Sequence, residues 1–104
     1  MPNLTNWQKL VTDYEAFVEE TMNGYDDCIY EYTNDLACRN KLEESKDISE
    51  VKELWLRVKQ ADIKLRDSLI PLNKCIYGDY PKTWFWYWGY PKNSPELEND
   101  IRNI

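Results

Sequence analysis

The sequence contains no histidine and only three glycines, and both shortages narrow the chemistry open to this chain. Without histidine it has neither a Ser-His nor a Cys-His nucleophile pair, and it lacks the commonest metal ligand. The glycines are scattered, so neither a phosphate-binding loop nor a dinucleotide-binding fingerprint can be drawn. We therefore expect a protein that is not an enzyme and that holds no cofactor.

The sequence also lacks the usual signatures of a metal site. Cys28, Cys38 and Cys75 are odd in number and have no Cys-x-x-Cys spacing, which disfavours both a zinc site and a disulfide framework. The polar stretch at residues 23–27 lacks the ligand spacing of a calcium loop. We expect no bound metal, three reduced and largely buried thiols, and a cytoplasmic protein.

Long apolar runs are missing as well, since the longest one is the five-residue stretch 84–88. A membrane-spanning helix needs about 20 apolar residues. The first residues show no basic region followed by an apolar run, so we expect no secretory signal and no membrane partner. A chain of 104 residues that is 42% hydrophobic suits one folded domain, and we predict a single domain over residues 1–104.

The spacing of apolar residues predicts two helices in the first part of the chain. The first covers residues 6–22 and ends at the Asn-Gly pair of residues 23–24, because these residue types readily adopt the left-handed conformation that ends a helix. The second covers residues 26–44. Asp26 and Asp27 stand at its start, where carboxylates interact favourably with the helix dipole.

A third helix is predicted to begin at a capping box formed by Asp47 and Glu50 and to continue to Pro71, which ends or kinks it. The ion pairs expected within it are Glu53 with Arg57 and Asp62 with Arg66. A second apolar series lies on another side of this helix: Leu56, Ile63 and Ile70. We expect the other elements to cover this series, and the alternative is that it forms a dimer or partner surface.

Five consecutive aromatic residues, 84–88, form what we call the aromatic segment. Each ring hides roughly 150–250 Å² on burial, so the segment is either core or the anchor of a partner interface. Its side chains favour an extended strand, either paired with residues 74–80 or laid across the helices. In a strand, Trp84, Trp86 and Trp88 would face one side, and Phe85 and Tyr87 would face the other.

The Ser-Pro-Glu sequence at residues 94–96 supplies an N-cap, a first-turn proline and a first-turn acid, and so predicts a short C-terminal helix. The patterns as a whole predict a mainly α fold. Its parts are a small bundle of three helices, an aromatic extended segment that could form a short hairpin, and the short C-terminal helix.

The net charge of −6 is unevenly distributed. Residues 1–35 contain eight acidic residues and one basic residue, whereas the rest of the chain contains eleven acidic and twelve basic residues. Carboxylates repeat at four-residue steps, where like charges cost a few tenths of a kcal/mol, so stability alone does not account for them. The pattern is typical either of a solubilising face or of a surface that binds a basic protein. The candidate partner-binding residues, with the two tyrosines as exposed anchors, are Glu15, Glu19, Glu20, Tyr25, Asp26, Asp27, Tyr30, Glu31 and Asp35.

A small, acidic protein without catalytic residues suits a stoichiometric inhibitor. Our leading hypothesis is an immunity protein or antitoxin that covers the basic cleft of a nuclease-type toxin. A phage-type nucleic-acid mimic, or an inhibitor of a host nucleic-acid-binding complex, would have the same features. A further class is a homodimeric assembly module, or a single-strand-binding module that uses the aromatic segment with Lys74, Lys82 and Lys92. The net negative charge disfavours nucleic acid as the partner.

Overall fold

The computed structural model describes residues 6–103, and most of this part of the chain is helical. The four helices are α1, Trp7–Met22; α2, Ile29–Glu44; α3, Ser49–Asp67; and α4, Pro95–Arg102. Two short strands, β1 at Leu69–Pro71 and β2 at Gly89–Pro91, flank a single 3-10 turn at Phe85–Tyr87. The prediction of a mainly α fold with a short hairpin and a short C-terminal helix is therefore confirmed.

The three long helices pack as an up-down-up bundle. Arg57 of α3 bonds to Thr12 of α1, and Lys64 lies near Glu19, so the contacts advance in the same direction along both helices. The buried apolar side chains at the centre of the bundle come from all three helices and from the aromatic segment. They include Val11, Tyr14, Phe17, Val18, Tyr32, Leu36, Leu42, Val51, Val58, Leu65 and Trp86.

The start of α2 differs from the prediction by three residues. Asp26 and Asp27 precede the helix, and an Asp27 carboxylate oxygen accepts a hydrogen bond from the Cys28 N–H at 2.9 Å. Cys28 has extended backbone angles and is the N-cap, although its side chain makes no capping bond. The helix begins only after this turn because the backbone there is held in an extended conformation.

Both ends of α3 also differ from the prediction. Ile48 occupies the N-cap position, and no side-chain capping bond is made, so the predicted capping box of Asp47 and Glu50 is wrong. The helix ends at Asp67, well before Pro71, because the following residues pair with β2. Backbone hydrogen bonds to a distant strand thus override the helical spacing of the sequence.

In the sheet, Leu69 pairs with Pro91, Ile70 with Tyr90 and Pro71 with Gly89, and the strands are antiparallel. The strand that pairs with the end of the aromatic region is therefore β1, so the alternative in which residues 74–80 pair with it is wrong. A Cβ on Gly89 would lie 2.9 Å from the Ile70 carbonyl oxygen, so only glycine allows this close approach of the backbones.

The second apolar series of α3 lies at the surface. Leu56 is 71% exposed and Ile63 is 63% exposed. The prediction that other elements cover this series is therefore wrong. Ile70 lies in β1 and is less exposed. This series is therefore a surface feature.

Among residues 6–103, no helix has both the length and the apolar composition that a membrane span requires. Over the same residues no three His, Cys, Asp or Glu side chains group as a metal site. The thiols of Cys28, Cys38 and Cys75 are free, and each is half-buried rather than fully buried.

Candidate protein-binding surface

The predicted negative face divides into two parts, and Glu15 and Glu19 belong to the part that faces α3. The Glu15 carboxylate accepts hydrogen bonds from Nε and Nη2 of Arg57, and these bonds lower the pKa of Glu15. The Glu19 carboxylate lies 3.8 Å from the Lys64 ammonium. The predicted pair of Glu53 with Arg57 is thus replaced by a contact between helices, and both glutamates are already matched with cations.

Tyr25 is fully buried, so the prediction that it is an exposed anchor is wrong. Its ring packs edge-on against Tyr32, with 5.3 Å between ring centres, and its hydroxyl donates a hydrogen bond of 2.7 Å to Asp35. Burial, this bond and the nearby carboxylates of Asp35, Asp27 and Glu20 raise the pKa of Tyr25 far above its usual value. Tyr25 is therefore a core residue that fixes Asp35.

The remaining candidates form the second part of the face, which we call the acidic surface. Its members are all exposed: Glu20, Asp26, Asp27, Tyr30 and Glu31. None of its four carboxylates forms an ion pair with a cation of residues 6–103. Tyr30, in the first turn of α2, is 82% exposed and is the most exposed large hydrophobic residue in that range. The structure thus leaves an aromatic ring in solvent, next in sequence to the unpaired carboxylate of Glu31.

A carboxylate from α4 joins this region. Asp100 accepts a hydrogen bond of 3.1 Å from the Ile29 N–H at the start of α2. No local pattern predicts this contact, because the two residues are 71 positions apart. Beside it lies a cavity of about 300 Å³ lined by Ile29, Tyr30, Thr33, Ile76 and Tyr77. Tyr30 is therefore one wall of a mainly apolar recess that shares Ile29 with the Asp100 contact.

The aromatic segment belongs mainly to the core. Trp86 and Tyr87 are both buried, because the 3-10 turn places these neighbours on the same side, so the predicted alternation of faces is wrong. The Trp86 indole N–H donates to the Asn40 side-chain oxygen at 2.8 Å, and the Asn40 amide donates to the Tyr87 hydroxyl at 2.6 Å. Trp84 and Trp88 are half-buried. The two buried rings are not available to stack on the bases of a nucleic acid.

A buried polar network lies next to this segment. Nε and Nη2 of Arg39 each donate a hydrogen bond of 2.8 Å to Asp62, and the Tyr14 hydroxyl donates one of 2.6 Å to the same carboxylate. Asp62 is therefore bound to Arg39 rather than to the predicted partner, Arg66. The network joins α1, α2 and α3. Sequence reasoning missed it because arginine and aspartate usually lie at the surface.

The exposed face of α3 has a different character from the acidic surface. Basic and apolar side chains alternate along it at steps of four and three residues: Lys52, Leu56, Lys59, Ile63 and Arg66. A symmetric dimer through this face would bring the cations of both copies into one interface, where like charges repel. The alternation therefore disfavours the homodimer that the apolar series alone suggests.

Comparisons of the chain with protein-family models, with curated proteins and with solved structures found no match. The chemistry of the acidic surface is accordingly the basis for the functional proposal.

Proposed function

We propose that this chain is a non-enzymatic binding protein whose acidic surface holds a basic protein partner. The observation that carries the proposal is Tyr30, which is 82% exposed and lies next in sequence to Glu31, one of the four acidic-surface carboxylates that have no cation partner within residues 6–103. Tyrosine is enriched at the energetic centres of protein interfaces, where a ring fills a pocket and surrounding polar groups exclude water. Tyr30 has the exposure and the surroundings of such an anchor.

Electrostatics support the same proposal. The carboxylates of Asp26, Asp27 and Glu31 are all exposed and lie between residues 26 and 31, and none of them has a cation partner within residues 6–103. Concentrated negative charge raises the association rate with a basic partner by orders of magnitude. Glu15 and Glu19 are paired with cations of α3, so they add less to the attraction of a basic partner. The proposed interface therefore centres on the α1–α2 turn and the start of α2.

The most specific form of the proposal is an immunity protein or antitoxin acting in the cytoplasm. A nuclease-type toxin needs Lys and Arg side chains in its cleft to bind phosphates. Carboxylates of the acidic surface would pair with those side chains, and Tyr30 would fix the orientation of the two proteins. Inhibition would then follow from blocking the cleft, with no chemical step in this chain.

Two matched variants test the proposal. Both neutralise three exposed carboxylates: D26N/D27N/E31Q in the acidic surface and D47N/E50Q/E53Q near the start of α3. Tagged forms of the wild type and both variants are used to capture proteins from a lysate of the source cells at low salt. We expect the wild type and the α3 variant to retain a basic protein that high salt releases, and the acidic-surface variant to lose it.

The captured partner is then purified and assayed for nuclease activity. One equivalent of the wild-type chain is expected to abolish that activity. A partner that binds nucleic acid without cleaving it, and that nucleic acid displaces from the complex, would instead assign the surface to a nucleic-acid mimic. The proposed function would be contradicted if the wild type captured no basic protein that high salt releases. It would also be contradicted if both triple variants lost the captured protein to the same extent.

A further inference from the structure

A second cavity, of about 350 Å³, lies at the end of α3 and does not include any residue of the acidic surface. Its walls come from the last turn of α3, from β1 and the residue after it, and from the region of the aromatic segment. The lining residues are Arg66, Leu69, Pro71, Leu72, Lys82, Phe85 and Trp88. Most of this wall is apolar, and the two basic residues are its only charged members.

The apolar wall is held in place by hydrogen bonds. The Trp88 indole N–H donates to the carbonyl oxygens of Pro81 at 3.1 Å and Tyr80 at 3.3 Å, so the polar edge of the ring is satisfied by the protein. The Leu72 N–H donates to the Trp88 carbonyl oxygen at 2.9 Å and joins the two sides of the cavity. The ring of Trp88 therefore offers a fixed apolar surface.

The two cations lie against the aromatic rings of the wall. The guanidinium carbon of Arg66 is 4.4 Å from the centre of the Phe85 ring, and the Lys82 ammonium is 5.6 Å from the centre of the Trp88 ring. Neither cation forms an ion pair with a carboxylate of residues 6–103. Their N–H donors are thus free to bind an anion, in a chain whose net charge is −6.

We propose that this cavity binds a small amphipathic carboxylate. Its apolar body would pack against Leu69, Leu72 and the rings of Phe85 and Trp88. Its carboxylate would accept charge-assisted hydrogen bonds from Arg66 and Lys82. The cavity volume lies within the roughly 300–1,000 Å³ typical of small-molecule sites, which are mainly apolar with a few placed polar groups. This site is independent of the function proposed for the acidic surface.

The test uses naphthoate and dodecanoate as probes, with the neutral naphthalenemethanol as the uncharged counterpart. Each is titrated into isotope-labelled protein and followed by two-dimensional NMR. We expect naphthoate to cause saturable shifts of the Trp88 indole N–H and the Leu72 amide. Naphthalenemethanol should bind more weakly, because it cannot accept charge-assisted bonds from the two cations.

Two double variants provide the matched comparison, and each removes two exposed positive charges: R66Q/K82Q at the cavity, and K41Q/K52Q on α2 and α3. Glutamine keeps part of the aliphatic stem and stays polar. We expect R66Q/K82Q to weaken naphthoate binding at least tenfold, which corresponds to about 1.4 kcal/mol, because the variant removes both donors of charge-assisted hydrogen bonds. The K41Q/K52Q variant should bind like the wild type, and the thermal midpoints of both variants should match.

Three results would overturn the proposal. They are the absence of saturable shifts with both carboxylates, equal affinity for naphthoate and naphthalenemethanol, and equal weakening by the two double variants. A further contrary result would be binding of an acidic amphipathic peptide alone, with shifts along Leu56 and Ile63. That outcome would assign the cavity, together with the exposed face of α3, to a protein partner rather than to a small molecule.

Discussion

The guanidinium carbon of Arg39 lies 4.2 Å from the centre of the Trp86 indole ring, and this contact joins α2 to the aromatic segment. The same guanidinium binds the Asp62 carboxylate of α3 through two hydrogen bonds. Both charged side chains are almost completely buried. The interior thus contains an ion pair covered by an aromatic ring, and in such a setting the loss of one partner is strongly destabilising because the other charge stays buried.

The first prediction concerns this ion pair. Asp62→Asn keeps the shape of the side chain but removes its charge, so the buried Arg39 guanidinium loses its bidentate partner and keeps only the Glu43 carboxylate, 3.1 Å away. We expect the free energy of unfolding to fall by about 3–5 kcal/mol, measured by urea denaturation. Asp67→Asn, a change at an exposed carboxylate of the same helix, should stay within about 0.5 kcal/mol of the wild type. Similar effects of the two substitutions would show that the buried pair is not required.

The second prediction concerns the aromatic segment. Trp86→Ala removes a ring that is 1% exposed and also removes the hydrogen bond to Asn40. The expected loss of stability is about 3–5 kcal/mol. Trp84→Ala, at a half-buried position in the same segment, should cost less in the same denaturation experiment. An almost neutral Trp86→Ala would mean that this ring does not belong to the core.

The third prediction concerns high pH. Burial raises the pKa of Tyr87 to about 12, and burial also raises the pKa of Tyr14, Tyr25 and Tyr32 above the usual 10.0. Because the folded state favours the protonated phenols, stability is complete below the unfolded-state pKa of about 10 and falls as pH rises from there towards the folded-state values. Urea midpoints should therefore fall steadily above pH 10 or so. Ultraviolet absorbance should show these phenols ionising only as the protein unfolds, and tyrosines that all titrate near their ordinary pKa in the folded state would contradict this.

The fourth prediction concerns the contact between α1 and α3. Glu15 and Arg57 form an ion pair whose side chains are 36% and 42% exposed, so solvent weakens it. A double-mutant cycle with Glu15→Gln and Arg57→Gln should give a coupling of about 0.2–1 kcal/mol that shrinks as salt is added. The hydrogen bonds from Arg57 lower the pKa of Glu15, so this contribution is lost as pH falls through that lowered pKa. A coupling that is independent of salt would be evidence against a solvent-screened pair.

The fifth prediction concerns Tyr30 as the anchor of the acidic surface. Tyr30→Ala should leave the free energy of unfolding within about 0.5 kcal/mol of the wild type, because the ring is 82% exposed. In calorimetric titration with the purified partner it should cost at least about 2 kcal/mol of binding free energy. Tyr30→Phe keeps the ring and serves as the control. Unchanged affinity of Tyr30→Ala would remove this residue from the interface.

Local sequence patterns predicted the elements whose signals lie within a few residues. The apolar spacing of α1 and the Ser-Pro-Glu sequence at the start of α4 predicted the positions of both helices to within a residue or two of the structure. The end of α3 could not be predicted in this way, because the pairing of Leu69 with Pro91 depends on a strand about twenty residues away. The 3-10 turn of the aromatic segment likewise depends on the hydrogen bonds that Asn40 makes with Trp86 and Tyr87.

The candidate site was predictable in composition but not in arrangement. Charge counting found the acidic stretch, yet it could not distinguish Tyr25 from Tyr30, since burial of Tyr25 depends on Asp35 and on rings from two helices. Pairing of Glu15 with Arg57 depends on α1 and α3 running in parallel, which no local pattern encodes. The acidic surface is accordingly narrower than the sequence suggested.

The most direct measurement for the central claim is the dissociation constant of the purified basic partner as a function of salt, for the wild type, D26N/D27N/E31Q and D47N/E50Q/E53Q. We expect the acidic-surface variant to raise the dissociation constant at least tenfold at low salt and to reduce its salt dependence, because it removes three carboxylates from the interface. The α3 variant should match the wild type. Equal behaviour of the two variants, or a wild-type affinity that does not change with salt, would contradict the claim that the acidic surface is the binding site.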